Sequence, residues 1–158
     1  MKVALLMGSK SDYEVVSKAE KLLKDFGVEC ETRIISAHRT PKLAHDFAEN
    51  AEKNGIEVII CAAGKAAHLA GVMAGITVIP VIGIPMKTSD MGGLDSLLST
   101  VQMPKGIPVA TVAISGAENA ALLAVQILGM KYPEMREAFR KYKKQLEDEI
   151  MKSDMELS

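Results

Sequence analysis

Short apolar runs recur along this chain, and most give way within a few residues to a helical pattern with one apolar face. Val3-Ala-Leu-Leu-Met7 leads through Gly8-Ser-Lys-Ser-Asp12 into Val15, Val16, Ala19, Leu22, Leu23 and Phe26 at helical spacing. A strand that is apolar at every position needs cover on both faces. Strands that alternate with helices supply that cover through crossovers, which are right-handed when the strands lie parallel. The pattern predicts an α/β fold: a three-layer αβα sandwich with a flavodoxin-like parallel sheet of about five strands.

The remaining elements follow from the same punctuation. Ser11 stands three residues before Glu14, a capping-box spacing, and Gly27 suits the left-handed position that closes the first helix. Glu29 to Ile35 reads as the second strand. Thr40 is placed to cap the second helix, with Pro41 at its first position, and Ala44, Phe47, Ala48 and Ala51 form the buried stripe. Asn54-Gly55 ends that helix, and Val58 to Ala62 is a third strand. A small-residue helix is expected from about Ala66 to Gly75, then a strand from Val78 to Ile82. Gly83 to Gly106 reads as irregular, with a short helix around Leu94 to Thr100. Val109 to Ala113 is the fifth strand and Ala117 to Leu128 the helix after it. The last helix carries Met135, Ala138, Phe139, Tyr142, Leu146 and Ile150 in helical spacing.

Repeats and linkers are missing, so residues 1–158 are expected to form a single α/β domain, its C-terminal helix (about 133–153) packing on a neighbouring subunit. A domain of 158 residues should bury roughly 70% of its extended surface, and 48% apolar residues suffice for a core. A net charge of -1 leaves no basic footprint for nucleic acid, and no run approaches the ~20 apolar residues of a membrane span. Cys30 and Cys61 sit in strand-like runs and read as reduced core thiols in a soluble, cytoplasmic protein. The fingerprints G-x-G-x-x-G after the first strand, G-x-x-x-x-G-K-[ST] and C-x-x-C are missing, and the histidines lack metal-ligand spacing. Dinucleotide, ATP and zinc sites of these kinds are therefore set aside.

Chemistry concentrates in two strand-to-helix loops, which line one crevice in an open parallel sheet. In the first, Ser9 and Asp12 flank a helix start, a position that serves equally as a cap or as an anion site. The second, Ser36-Ala-His-Arg-Thr-Pro41, sets an imidazole beside a guanidinium. His38 lies off any apolar stripe and suits proton transfer near neutral pH, while Arg39 suits a phosphate through paired hydrogen bonds. His45 falls on the polar arc of its helix and reads as solvated. His68, after the third strand, opens onto the same crevice, with structural and ligand roles equally open. These residues point to an enzyme or binding domain for a small phosphorylated metabolite. A receiver-like phosphate-binding module is the non-enzymatic rival, but its acidic residue after the third strand is replaced by Ala62-Ala63-Gly64.

Met7-Gly-Ser-Lys-Ser-Asp12, Ser36-Ala-His-Arg-Thr-Pro41, Ala66-Ala-His-Leu69, Gly93-Leu-Asp-Ser-Leu97, Val101-Gln-Met-Pro104, Gly106-Ile-Pro-Val109 and Asn119-Ala-Ala-Leu-Leu123 stand in the order found in the PurE family of purine biosynthesis. From residue 3 to about 150 the chain resembles that family, and specifically its class I branch. Class II members, which carboxylate aminoimidazole ribonucleotide with carbon dioxide, typically have Lys where Arg39 stands and lack the Ala-Ala-His-Leu stretch. The resemblance implies an isomerase converting N5-carboxyaminoimidazole ribonucleotide to 4-carboxy-5-aminoimidazole ribonucleotide by decarboxylation and recarboxylation, without a cofactor. It implies that His38 is catalytic and that Asp12 holds ribose hydroxyls. Ser9, Ser36 and Arg39 would hold phosphate or orient the heterocycle, with Gly64 and His68 completing the pocket. It also implies a homo-octamer. At two positions the chain departs from the family's usual form: Lys65 stands where Gly is usual and Ala70 where Pro is.

Overall fold

The computed structural model describes residues 1–157; Ser158, the last residue of the expected domain, lies outside them. Five strands form one parallel sheet in the order β2-β1-β3-β4-β5: β1 Lys2–Met7, β2 Glu29–Ile34, β3 Val58–Ala63, β4 Val81–Pro85 and β5 Ala110–Thr111. The helices are α1 Tyr13–Asp25, α2 Pro41–Asn50, α3 Leu69–Ile76, α4 Leu94–Val101, α5 Ala117–Leu128 and α6 Pro133–Leu157. This is the flavodoxin-like order, and its switch point falls between β1 and β3, where chains leave in opposite directions and open a crevice.

Alternation along the strands builds two cores. Val3, Leu5 and Met7 with Val58, Ile60, Ile82 and Ile84 face α1, α5 and the start of α6. Ala4 and Leu6 with Ile59, Cys61 and Val81 face α2 and α3. Each fully buried Leu or Ile contributes roughly 1.5–3 kcal/mol, so both faces of the sheet are strongly committed. Cys30 and Cys61 are both free, the first partly covered and the second buried in β3.

Several boundaries differ from expectation. The fourth strand runs Val81–Pro85, three residues later than the apolar run Val78–Ile82 suggests. Pro80 has no N–H to give a ladder and Val78 is 88% exposed, so the run's first half is a connection outside the sheet, from which Ile79 still turns inward to the core. Within β4 the chain needs Gly83, because a Cβ there would overlap the Thr100 methyl of α4. The fifth strand shrinks to Ala110–Thr111 beside Pro108, although Val112 still donates to the Gly83 carbonyl at 3.1 Å. The third helix starts at Leu69, with Ala66 and Ala67 in the turn before it.

In α4 the usual polarity is inverted. Ser96 and Thr100 are buried, with Ser96 donating to the Met86 carbonyl at 2.6 Å, while Leu94, Leu98 and Val101 face outward. Among the described residues no helix is long and apolar enough to cross a membrane.

Candidate active site

A cavity of about 540 Å³ opens at the carboxyl edge of the sheet, over the switch point. Its walls are the loops after β1, β2, β3 and β4. Ser9, Asp12, Ser36, His38, Arg39, Gly64 and His68, the residues singled out from sequence, all line it.

The first loop turns tightly before α1. Ser9 rather than Ser11 does the capping: its hydroxyl accepts from the Ser11 amide at 3.3 Å and from the Ser11 hydroxyl at 2.9 Å, closing a short 3-10 turn over Lys10–Asp12. Asp12 is left at the cavity wall without a capping bond. Burial pushes its carboxyl above the ordinary carboxylate range, against the opposing pull of hydrogen bonds from Ser9 and Ser11 and of the Arg39 charge.

The second loop is braced from inside. Thr40 does not cap α2; its hydroxyl donates to the Ser36 carbonyl at 2.9 Å and accepts from the Ser36 amide at 3.0 Å. Ser36 in turn accepts from the Arg39 amide at 3.2 Å and from Arg39 Nε at 3.3 Å. Arg39 Nη2 then crosses to the first loop and donates to the Gly8 carbonyl at 2.6 Å. These partners are neutral oxygens, so the guanidinium is held in place with its charge uncompensated by any ion pair among the described residues. That arrangement suits an incoming anion.

His38 Nε2 and His68 Nδ1 stand 2.8 Å apart, their rings edge to face with centroids 4.9 Å apart. One of these nitrogens donates and the other accepts, so a hydrogen bond ties the second loop to the third. His68 sits at the N-terminal boundary of α3, which fixes its direction. His45 lies on the outer face of α2 beside Asp46 and Glu49 and does not line the cavity.

The fourth wall escaped the sequence reading. Met86, Lys87, Thr88 and Ser89 line the cavity from the loop after β4, and Ser99 of α4 donates to the Lys65 carbonyl at 3.0 Å, steadying the third loop. A fourth strand at Val78–Ile82 puts this strand-to-helix loop out of register with the site, whereas the observed strand is Val81–Pro85. The rule that found the first two loops finds this one once Pro80 is read as the limit of the strand. Among the described residues no group of three or more His, Cys, Asp or Glu is arranged to hold a metal ion.

Residues 2–149 match the AIR carboxylase family. The chain belongs to that family. A protein from Pyrococcus abyssi named N5-carboxyaminoimidazole ribonucleotide mutase is 59% identical over 145 residues, covering 92% of this chain and 83% of that protein. One of the same name from Mycobacterium tuberculosis is 47% identical over 156 residues, covering 99% and 90%. Among solved structures, a PurE from Treponema denticola superposes with a TM-score of 0.91 at 30% identity, covering 99% of this chain and 98% of that one. The family assignment thus agrees with the loops and their order, and the solved relative shares the fold over nearly its full length.

Proposed function

We propose that this member of the AIR carboxylase family is an isomerase of purine biosynthesis that converts N5-carboxyaminoimidazole ribonucleotide to 4-carboxy-5-aminoimidazole ribonucleotide. The carrying observation is the cavity at the switch point, where a hydrogen-bonded His38–His68 pair stands beside an anion-ready Arg39. Relatives at 47–59% identity bearing the mutase name support the same reading.

Arg39, with Ser9 and Ser36, holds the phosphate or orients the heterocycle, and Asp12 accepts from the ribose hydroxyls. Cleavage of the exocyclic N–C bond leaves that electron pair on nitrogen and releases carbon dioxide; His38 supplies the proton the nitrogen then takes. Ring carbon 4 next attacks the retained carbon dioxide. The hydrogen on that carbon returns to His38 as a proton, so one is given and one recovered. The chemistry requires retention of carbon dioxide and a single well-placed acid–base group. His68, hydrogen-bonded to His38, orients the ring.

The functional unit is a homo-octamer, and α6 packs on a neighbouring subunit. The outward apolar faces of α4 (Leu94, Leu98, Val101) and of distal α6 (Ile150, Met151, Met155) support this, since a monomer rarely exposes such rows. The small-residue rows of α3 support it less: a Cβ at Gly71 would press on Met103 of the same chain, at 3.0 Å from its sulfur, so Gly71 serves packing within the subunit. We place the enzyme in the cytoplasm, where a pathway to free nucleotides runs.

The test supplies purified protein with N5-carboxyaminoimidazole ribonucleotide, then with aminoimidazole ribonucleotide plus bicarbonate, while light scattering reads the assembly. Turnover of the first is expected. Turnover of the second alone would make the protein a carboxylase that uses carbon dioxide, and failure of either ribonucleotide to bind would leave a different phosphate ligand to be found.

A further inference from the structure

Lys65 and Asp90 form an ion pair of 2.6 Å at the rim of the cavity, between residues 25 positions apart. Lys65 belongs to the loop after β3 and Asp90 to the loop after β4, and both loops wall the cavity. The lysine is held at both ends by the same neighbouring segment. Its carbonyl accepts from Ser99 of α4, and its ammonium reaches Asp90 in the loop that leads into α4.

Two further observations give the pair a purpose. The Lys65 backbone has φ +56°, in the left-handed region where glycine sits freely and an L-residue carries a cost. A side chain kept there against that cost needs a use. The β4–α4 loop, in turn, is fastened to α4 on either side of Asp90, whereas Asp90 bonds to its neighbour Ser89 and, across the cavity mouth, to Lys65. Thr88 donates to Asp95 at 2.7 Å and accepts from the Gly93 amide at 3.2 Å, and Gly92 and Gly93, both at positive φ, turn the chain into α4. The segment around Ser89 and Asp90 is therefore joined to the opposite wall by the lysine. Because Asp90 neutralises the ammonium, Lys65 in this arrangement is not a free counter-charge for an anionic substrate.

We propose that Lys65 is a positioning residue: its ion pair with Asp90 clasps the β3–α3 loop to the β4–α4 loop and sets how closely the cavity mouth fits the substrate. The clasp rests on the reading of this cavity as the ribonucleotide site. It acts on substrate capture and leaves the His38 chemistry alone.

The experiment compares parent, Lys65→Met, Asp90→Asn, the double variant and Lys65→Arg. In ligand-free protein, amide hydrogen exchange over residues 87–93 should quicken by the same factor in both single variants and in the double, with Lys65→Arg close to parent. In turnover with N5-carboxyaminoimidazole ribonucleotide, both singles should raise KM by roughly two- to five-fold, the range an exposed pair delivers. Their kcat should stay within about two-fold of the parent, the double variant should be no worse than either single, and arginine should restore KM. If Lys65→Met raises KM while Asp90→Asn does not, the lysine touches substrate directly and the clasp is wrong. Parent-like exchange in both singles, or additive effects in the double, also overturns it. A parent that turns over no ribonucleotide would refute the functional reading instead, and the exchange data would still decide whether the clasp exists.

Discussion

The two ends of the sheet use charge in opposite ways. At the amino edge, charges are spent on one another. Glu57, just before β3, accepts from Lys131 at 2.8 Å and from Tyr132 at 2.9 Å, and lies 4.0 Å from the N-terminal ammonium. Lys2 pairs with Glu31 at 2.8 Å and sits 3.8 Å from Glu29. At the carboxyl edge, apart from the rim pair, Arg39 is fixed by neutral oxygens and Asp12 is partly buried with no ion pair. The pKa directions follow. Burial works against the Glu57 carboxylate, but Lys131 and Tyr132 outweigh it and hold it below the ordinary range, while burial prevails at Asp12 and lifts it. One edge is neutralised and structural. The other leaves Arg39 and Asp12 without an ion pair among the described residues.

The strongest way to break this contrast is His38→Asn. Turnover should fall by about 10²–10⁴-fold or more, since one group serves both halves of the reaction. Calorimetric titration should still show ribonucleotide binding, and the melting temperature should stay near the parent's. Retained turnover would move the proton carrier to His68.

Next in size is Arg39→Lys, which keeps the charge and loses the planar fork that spans Gly8 and Ser36. Binding should weaken by roughly 1–3 kcal/mol, read as a higher KM with the fold intact. An unchanged KM would show that the guanidinium is architectural only.

Asp12→Asn should separate function from stability. Substrate binding weakens, while the melting temperature at neutral pH rises because a half-buried charge has been removed. The raised carboxyl of the parent is penalised when ionised. The variant's advantage is therefore full above the folded pKa and fades as pH falls through it. A lower melting temperature at neutral pH would show that Asp12 supports the fold instead.

The smallest effect is expected at the other edge. Glu57→Gln should leave KM and turnover unchanged and lower the melting temperature at neutral pH. A depressed carboxyl lends stability above its unfolded pKa and loses it as pH falls through the folded value. The gap between parent and variant should accordingly close toward acid pH. A pH-independent gap would assign the effect to packing.

What was readable beforehand divides along similar lines. The parallel sheet and the first two site loops followed from strand-like runs that alternate with helical patterns: the apolar run Val3–Met7 stops at Gly8, and the more polar run Glu29–Ile35 stops at Ser36. Composition cannot say where within a longer apolar stretch the ladder begins: Val78-Ile79 reads as strand, yet Pro80 breaks the ladder, Val78 is exposed and Ile79 is buried outside the sheet. Capping was legible in kind but not in partner. Ser9 displaced Ser11, and Thr40 turned back to Ser36, because a hydroxyl near a helix start has several amides and carbonyls within reach. The His38–His68 bond joins residues 30 positions apart. Only the strand order brings their loops together.

The thiols carry a practical consequence. Burial raises the Cys30 thiol to about 11 and drives the Cys61 thiol upward as well, so neither supplies meaningful thiolate near neutral pH. For Cys30 the reactive fraction is on the order of 10⁻⁴ at pH 7. Maleimides and similar reagents are expected to label the native chain slowly, which a timed thiol titration would check. A single engineered cysteine on an outer loop would therefore take a fluorophore or spin label by itself, leaving both native sulfurs in place.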